Sequence, residues 1–201
     1  MVLIGGTSNV GKSSIARVVA ERLGFVCRST DQLARHPGRP WRTPEREVPP
    51  HVAEHYAGLA VDELIVSVLG HYARLWPRIE ELITEHASGG GPGLVLEGSA
   101  LWPARVAKLA VPHTASVWLT ADMPVLRERI RTAGRYAEAT DEERFLMDQF
   151  AARTERYQVL MQDAAEEAGL PRIDAGDGRS VVELAGAVLA LVGVRGVAGG
   201  R

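Results

Sequence analysis

Gly5-Gly6-Thr7-Ser8-Asn9-Val10-Gly11-Lys12-Ser13 decides how this chain is read. From Gly6 to Ser13 it is a complete G-x-x-x-x-G-K-[ST] phosphate loop. Val2-Leu3-Ile4 before it is a short apolar run that suits a buried strand, and residues 14–23 after it carry apolar side chains at helical spacing. With strand, glycine turn and helix in that order, successive backbone N–H groups and the positive end of a helix would cradle a di- or triphosphate. Gly6, Thr7, Ser8, Asn9, Val10, Gly11, Lys12, Ser13 and Ser14 are therefore the expected nucleotide contacts. Lys12 would reach the outer phosphates, and Ser13 would hold Mg²⁺ through its hydroxyl.

Outward from the loop, the first helix should end at Gly24, because glycine accepts a left-handed conformation there. Phe25-Val26-Cys27 reads as a second strand, Leu94-Val95-Leu96 as a third, Ala115-Ser116-Val117-Trp118-Leu119 as a fourth and Pro171-Arg172-Ile173-Asp174 as a weaker fifth. Between strands two and three, residues 28–50 are polar and contain Pro37, Pro40, Pro44, Pro49 and Pro50, so loop and short helix are expected. An excursion this long in a compact domain suggests a functional surface. From Val52 the pattern turns helical, with Leu59, Glu63, Val66 and Gly70 on one face and Leu64, Ile65, Val68 and Leu69 widening it. Pro77 should interrupt this helix or begin a new one, and Ser88-Gly89-Gly90-Gly91-Pro92-Gly93 should be a loop. A long helix over residues 142–168 turns Leu146, Phe150, Tyr157, Leu160 or Met161, and Ala164 inward, and residues 181–192 form a last apolar helix. Strands separated by helical segments imply an α/β domain with a parallel sheet.

Size and composition narrow the classes. A chain of 201 residues is long enough for one substantial core with a small appended lid. A formal charge of −2 gives no polyelectrolyte-binding surface, so nucleic acid is not an expected partner. Cys27 is the single cysteine, which excludes an internal disulfide and a cysteine-built zinc site, and it suits the core as a small residue. His51 and His55 lie four apart without an evident third ligand, so zinc is not expected. No run reaches the roughly 18 apolar residues of a membrane span, and no export signal precedes the first strand, so a cytoplasmic protein is expected.

Several residues could carry chemistry beside the loop. Asp31 is the first acid after strand two, at the sheet edge where ligands bind in parallel sheets. It would accept a proton from a substrate hydroxyl, or else serve only as a helix N-cap, a role Ser29 or Thr30 would fill equally well. Glu97 follows strand three and would help Ser13 order the metal or contact substrate, unless it is a solvated loop residue. Arg28, Arg39 and Arg42, with His36 and Trp41 among prolines, suit a rigid wall that binds a phosphate or carboxylate. Arg153 falls on the inward face of its helix, where it needs either a buried acid or an anion-filled cleft. Arg127, Arg129, Arg131 and Arg135 cluster after strand four, behind a helix start at Asp122-Met123-Pro124. Arg131 and Arg135 are the preferred pair to neutralise a transferring phosphoryl group, against a bland role in ion pairs with Glu128 and Glu138. Residues 174–178 could border an adenine ring or form only a turn.

The residues 5–14, with Ser29-Thr30-Asp31 and Glu97-Gly98, resemble P-loop small-molecule kinases of the nucleoside-monophosphate-kinase-like group. Within it they are similar to 2-phosphoglycerate kinase and, more weakly, to chloramphenicol phosphotransferase, whose acid after strand two acts as base and is matched by Asp31. The resemblance implies a three-layer fold with a five-stranded parallel sheet in the order 2-3-1-4-5. It also implies one domain over residues 1–201, an acceptor-binding helical region at about 32–86 and a lid at about 127–143. The implied activity is transfer of the γ-phosphate of ATP, with Mg²⁺, to a hydroxyl of a small molecule by a monomer or homodimer. A nucleotide-dependent ATPase or switch acting through a protein partner is the alternative, and a scaffold that keeps the loop without catalysis is a third. A switch needs an arginine in trans or large mobile segments, whereas this chain has many arginines of its own.

Overall fold

Val2, Leu3 and Ile4 are each 2% exposed or less, so the first strand is covered on both faces and must lie inside a sheet. In the computed structural model, which describes residues 1–34, 36–43, 46–87 and 92–193, that sheet has five parallel strands. They are β1 (Val2–Gly6), β2 (Val26–Ser29), β3 (Leu94–Glu97), β4 (Ala115–Thr120) and β5 (Arg172–Asp174), in the order β2-β3-β1-β4-β5. Register sets Ile4 beside Glu97, Glu97 beside Ser29, Gly6 beside Leu119 and Thr120 beside Asp174. The carboxyl ends of the strands thus form one edge, and every expected loop and acid after a strand lies along it.

The helices are α1 (Lys12–Leu23), α2 (Pro50–Gly58), α3 (Val61–Ala87), α4 (Pro103–Val106), α5 (Met123–Ala133), α6 (Asp141–Glu167) and α7 (Val181–Leu191). The alternation of β1 sorts them into two layers. Val2 and Ile4 join Val95, Val117 and Leu119 under α1 and α7, while Leu3 joins Leu94, Leu96 and Trp118 under α3 and α6. A third cluster, Trp41, Val52, Tyr56, Leu64, Ile130, Leu146, Met147 and Phe150, anchors the excursion after β2 against α5 and α6. The helices carry their own boundary signals. Gly24 closes α1 in the left-handed conformation at φ 65°, as expected. Thr140 with Glu143 and Ser180 with Glu183 form capping boxes that start α6 and α7.

Some expectations change. β2 lies one residue further on than Phe25-Val26-Cys27, because Phe25 packs over Gly93 at the entrance to β3 and pairing begins at Val26. The break expected at Pro77 lies instead at Leu59-Ala60, where α2 ends and the Ala60 N–H donates to Glu63. α3 runs through Pro77 because Leu64, Ile65, Val68, Leu75, Trp76, Ile79, Leu82 and Ile83 keep one continuous buried stripe across it. That shared burial outweighs the hydrogen bond proline removes. The buried face of α3 is also rotated from the expected one: Val66 is 72% exposed while Leu64 is fully covered. On α6 Ala165, not Ala164, faces inward, one position round the helix. Residues 88–91 of the expected glycine loop and Pro44 of the excursion lie outside the described residues. Cys27 is half-buried against the core, and burial raises its thiol pKa.

Gly98 shows how tightly the sheet edge is built. A Cβ there would overlap Thr30 Oγ1, which is itself buried at the end of β2. Gly98→Ala is expected to cost about 1–3 kcal/mol by overpacking. Urea unfolding checks this; an unchanged midpoint would mean the two segments separate freely.

Candidate active site

The phosphate loop has the backbone an anion cradle requires. Gly6 and Gly11 have φ of 141° and 103°, and Asn9, at φ 61°, takes the left-handed conformation that asparagine tolerates. α1 then starts at Lys12 with no acid in its first turn, so its positive end is left uncompensated by the helix itself. Thr7 Oγ1 donates to the Thr154 carbonyl of α6 at 3.3 Å, which ties the loop to the opposite layer.

Lys12 is 8% exposed, and its ammonium donates to the Thr7 carbonyl at 2.6 Å. Burial lowers its pKa, and the negative fields of Glu97 and Asp31 partly restore it. The Ser13 hydroxyl donates to Glu97 Oε1 at 2.9 Å. Glu97 is 4% exposed, so the solvated-loop alternative does not hold. A hydroxyl and a carboxylate side by side beneath a phosphate loop are hard oxygen donors, a set that suits Mg²⁺. Among the described residues no group of three histidine, cysteine or acidic side chains is placed to hold a metal by protein ligands alone.

Asp31 stands in a single 3₁₀ turn after β2 with its side chain exposed. The cap of that turn is Ser29, whose Oγ accepts the Asp31 N–H at 3.3 Å, so the capping alternative belongs to Ser29 and the Asp31 carboxylate has no such role. The negative charge of Asp31 acts on Lys12 of the loop and on His71 and Tyr72 in the middle of α3.

The arginines separate. Arg39 projects over the buried Trp41 ring at 5.8 Å and its field reaches Lys12. Arg42 pairs with Glu143 at 3.4 Å, linking the excursion to the start of α6. Arg28 sits exposed on edge strand β2, with no bond to the loop among the described residues. Arg153 is 6% exposed without an acid at ion-pair distance among the described residues. It donates to the Tyr56 hydroxyl at 3.0 Å and stacks over Phe150 at 4.6 Å. Of the buried acid and the anion-filled cleft expected for Arg153, no acid stands at ion-pair distance among the described residues, and its contacts are to Tyr56 and Phe150. Arg127 bonds to Glu155 and Arg135 to Glu138, while Arg131 lies over Tyr136 at 4.8 Å and 4.0 Å from Asp148. Arg131 also lines a cavity of about 250 Å³ between α5 and α6 that no loop residue touches. Arg129 alone of this cluster reaches the loop, donating to the carbonyls of Val10 at 3.1 Å and Ala175 at 2.8 Å. Arg127, Arg129 and Arg131 lie on α5, where alternate residues point to different faces, and Arg135 lies beyond its end, so closeness in sequence did not imply one site.

Histidines from three segments meet beside Arg153. His36 contacts His55 and His71 edge-on, with ring centroids 5.3 and 5.2 Å apart. Sequence reasoning paired His51 with His55 and missed this trio, since its members share no spacing. Burial, then Arg153, His71, His55 and Arg74, push the His36 pKa down to about 3 from 6.5. The folded chain thus holds His36 neutral where the unfolded chain binds a proton, and stability should fall as pH drops from 6.5 towards about 3. His36→Phe should flatten that slope in urea titrations across this range. An unchanged slope would assign the acid sensitivity to other groups.

No protein-family model matches the sequence, and no curated protein sequence matches it significantly. The fold does have solved counterparts. A gluconokinase from Sinorhizobium meliloti 1021 aligns with a TM-score of 0.50 at 21% identity, over 95% of this chain and 90% of its own. Shikimate kinase from Aquifex aeolicus vf5 aligns with a TM-score of 0.54 at 12% identity, over 98% and 99%. A sugar kinase from Janibacter sp. HTCC2649 aligns with a TM-score of 0.53 at 16% identity, over 96% and 94%. At these identities they establish the fold, that of P-loop kinases, with helices on both faces of the 2-3-1-4-5 sheet.

Proposed function

We propose that this chain is an ATP-dependent kinase that phosphorylates a hydroxyl of a small molecule. The observation that carries the reading is the Ser13–Glu97 hydrogen bond directly beside a buried Lys12, with Asp31 facing the same charge. On this reading the residues that would bind phosphate, ligate the metal and act as base stand together, which supports a single site. That neighbours of the same fold are named gluconokinase, shikimate kinase and sugar kinase supports a small hydroxylated acceptor.

The chemistry is an in-line displacement. The acceptor oxygen bonds to the γ-phosphorus, the bond from that phosphorus to the β–γ bridging oxygen breaks, ADP leaves, and the hydroxyl proton passes to the Asp31 carboxylate. Loop N–H groups from Gly6 to Ser14 hold the phosphates, and Lys12 exchanges the Thr7 carbonyl for a phosphate oxygen. Mg²⁺ held by Ser13, with Glu97 in support, would neutralise phosphate charge. Arg131 and Arg135 would complete the charge stabilisation from the segment 127–143 as a lid, giving up exposed partners Asp148 and Glu138. Residues 32–86 would bind the acceptor, with Arg28, Arg39, Arg42 and Arg153 as candidate anion contacts. Such a reaction belongs in the cytoplasm, and among the described residues no helix is long and apolar enough to cross a membrane.

Acceptor-dependent ADP release from Mg·ATP tests the reading. Sugar acids and phosphorylated metabolites come first, from the resemblance to 2-phosphoglycerate kinase, then nucleosides and chloramphenicol-like drugs. ATP binding without transfer to any acceptor, but with hydrolysis stimulated by a protein partner, would replace the kinase by a switch.

A further inference from the structure

Away from the phosphate loop, a cavity of about 490 Å³ opens between the second half of α3 and the segment around α4. α3 contributes Trp76 and Glu80 to its lining, and the segment 102–109 contributes Trp102, Arg105, Lys108 and Leu109. No residue of the phosphate loop lines it, nor do Asp31, Glu97 and Arg153. We propose that this cavity is a second ligand site, and that it takes a small aromatic zwitterion, of which an aromatic α-amino acid is the simplest. The site goes beyond the kinase reading and does not depend on it.

Three features of the lining select this chemistry. The first is size, since the volume falls within the roughly 300–1,000 Å³ of small-molecule sites. The second is charge. Glu80, Arg105 and Lys108 share the lining, yet none of them is in an ion pair among the described residues. Opposite charges that border one cavity beyond ion-pair distance leave room for a ligand between them. A ligand carboxylate would meet the two cations and a ligand ammonium would meet Glu80, both through charge-assisted hydrogen bonds. A simple anion would set like charge against Glu80, and a simple cation would set it against Arg105 and Lys108. The third feature is the aromatic wall. Trp76 is 7% exposed, and the Arg105 guanidinium lies 5.7 Å from its ring centroid, a cation–π contact that holds Arg105 at the cavity. Trp102 is half-buried, and its ring meets that of Tyr157 at 67° with centroids 5.7 Å apart. The Tyr157 hydroxyl in turn donates to the Ser99 carbonyl. Trp102 is thus a braced indole, and a ligand ring gains edge-to-face or offset contacts there that an aliphatic side chain lacks. A wall already held in place costs little to order on binding.

Calorimetric titration of the full chain with L-phenylalanine tests the site. Saturable binding at one site per chain, with a Kd of about 1 mM or tighter, is expected. 3-Phenylpropionate lacks the ammonium, phenethylamine lacks the carboxylate and L-alanine lacks the ring, and each should bind at least about 10-fold more weakly. Two variants at exposed positions assign the charges. Glu80→Gln should weaken L-phenylalanine by about 10-fold and leave 3-phenylpropionate unchanged. Lys108→Gln should weaken L-phenylalanine by about 10-fold and leave phenethylamine unchanged. A misfolded variant would lose every ligand together, so this crossed pattern reports the charges themselves. Absence of saturable L-phenylalanine binding overturns the site. Equal binding of the three aromatic compounds overturns it too, because the charges then select nothing. Parent-like binding of L-phenylalanine in both variants places the ligand elsewhere and also overturns it. The titration uses neither nucleotide nor acceptor, so its failure leaves the kinase reading intact, and failure of phosphate transfer leaves the cavity site intact.

Discussion

Lys12→Ala is expected to lower phosphate transfer by at least about 10²–10³-fold, the cost of removing one preorganised donor from a developing charge. The structure makes this a functional test and not a folding one. Lys12 Nζ makes a single hydrogen bond, to the Thr7 carbonyl, and burial already lowers its pKa. Removing a charge that is costly to bury should leave the melting temperature within about 4 °C of the parent, corresponding to about 1 kcal/mol or a little more at this size. Triphosphate affinity should fall along with turnover, because the ammonium would contact the nucleotide before and during transfer. Calorimetry with an ATP analogue and steady-state turnover check both parts. Parent-like turnover would refute the role given to the loop.

Asp31→Asn is expected to reduce turnover by roughly 10²–10⁴-fold with ATP affinity little changed, since the amide keeps the shape but takes no proton at neutral pH. The tertiary structure sharpens this comparison. The turn containing Asp31 is capped by Ser29 Oγ, so a loss of activity in the Asp31 variant does not report a lost cap. Ser29→Ala supplies the control: it should cost about 1 kcal/mol of stability and leave the Asp31 carboxylate in place. Turnover of Asp31→Asn within about threefold of the parent, with a verified acceptor, would remove the base. It would not remove the kinase, because positioning and charge neutralisation supply most of phosphoryl-transfer catalysis.

Local sequence determined what depends on local physics. Gly6 and Gly11 had to be glycine for left-handed turns, Gly24 for the end of α1, and short apolar runs bounded by loops placed all five strands within a residue or two. Glu97 and Asp31 were legible because any residue just past a parallel strand reaches the ligand edge. The S/T-x-x-E signatures of the capping boxes at Thr140 and Ser180 are in the sequence too, but the reading of the helix starts did not use them. Pro77 and the face of α3 were decided by tertiary packing, because a continuous buried stripe outweighs one missing hydrogen bond and the core selects which side is covered. The arginines show the same limit. Arg129 reaches Val10 while Arg131, two positions round α5, meets Tyr136 and Asp148, and Arg135, beyond the end of that helix, meets Glu138, differences that clustering in sequence conceals. His36, His55 and His71 meet only because the segment before α2, α2 itself and α3 fold together over Arg153 of α6. Contacts between segments so far apart obey no spacing rule, so this histidine cluster exists only in the folded chain.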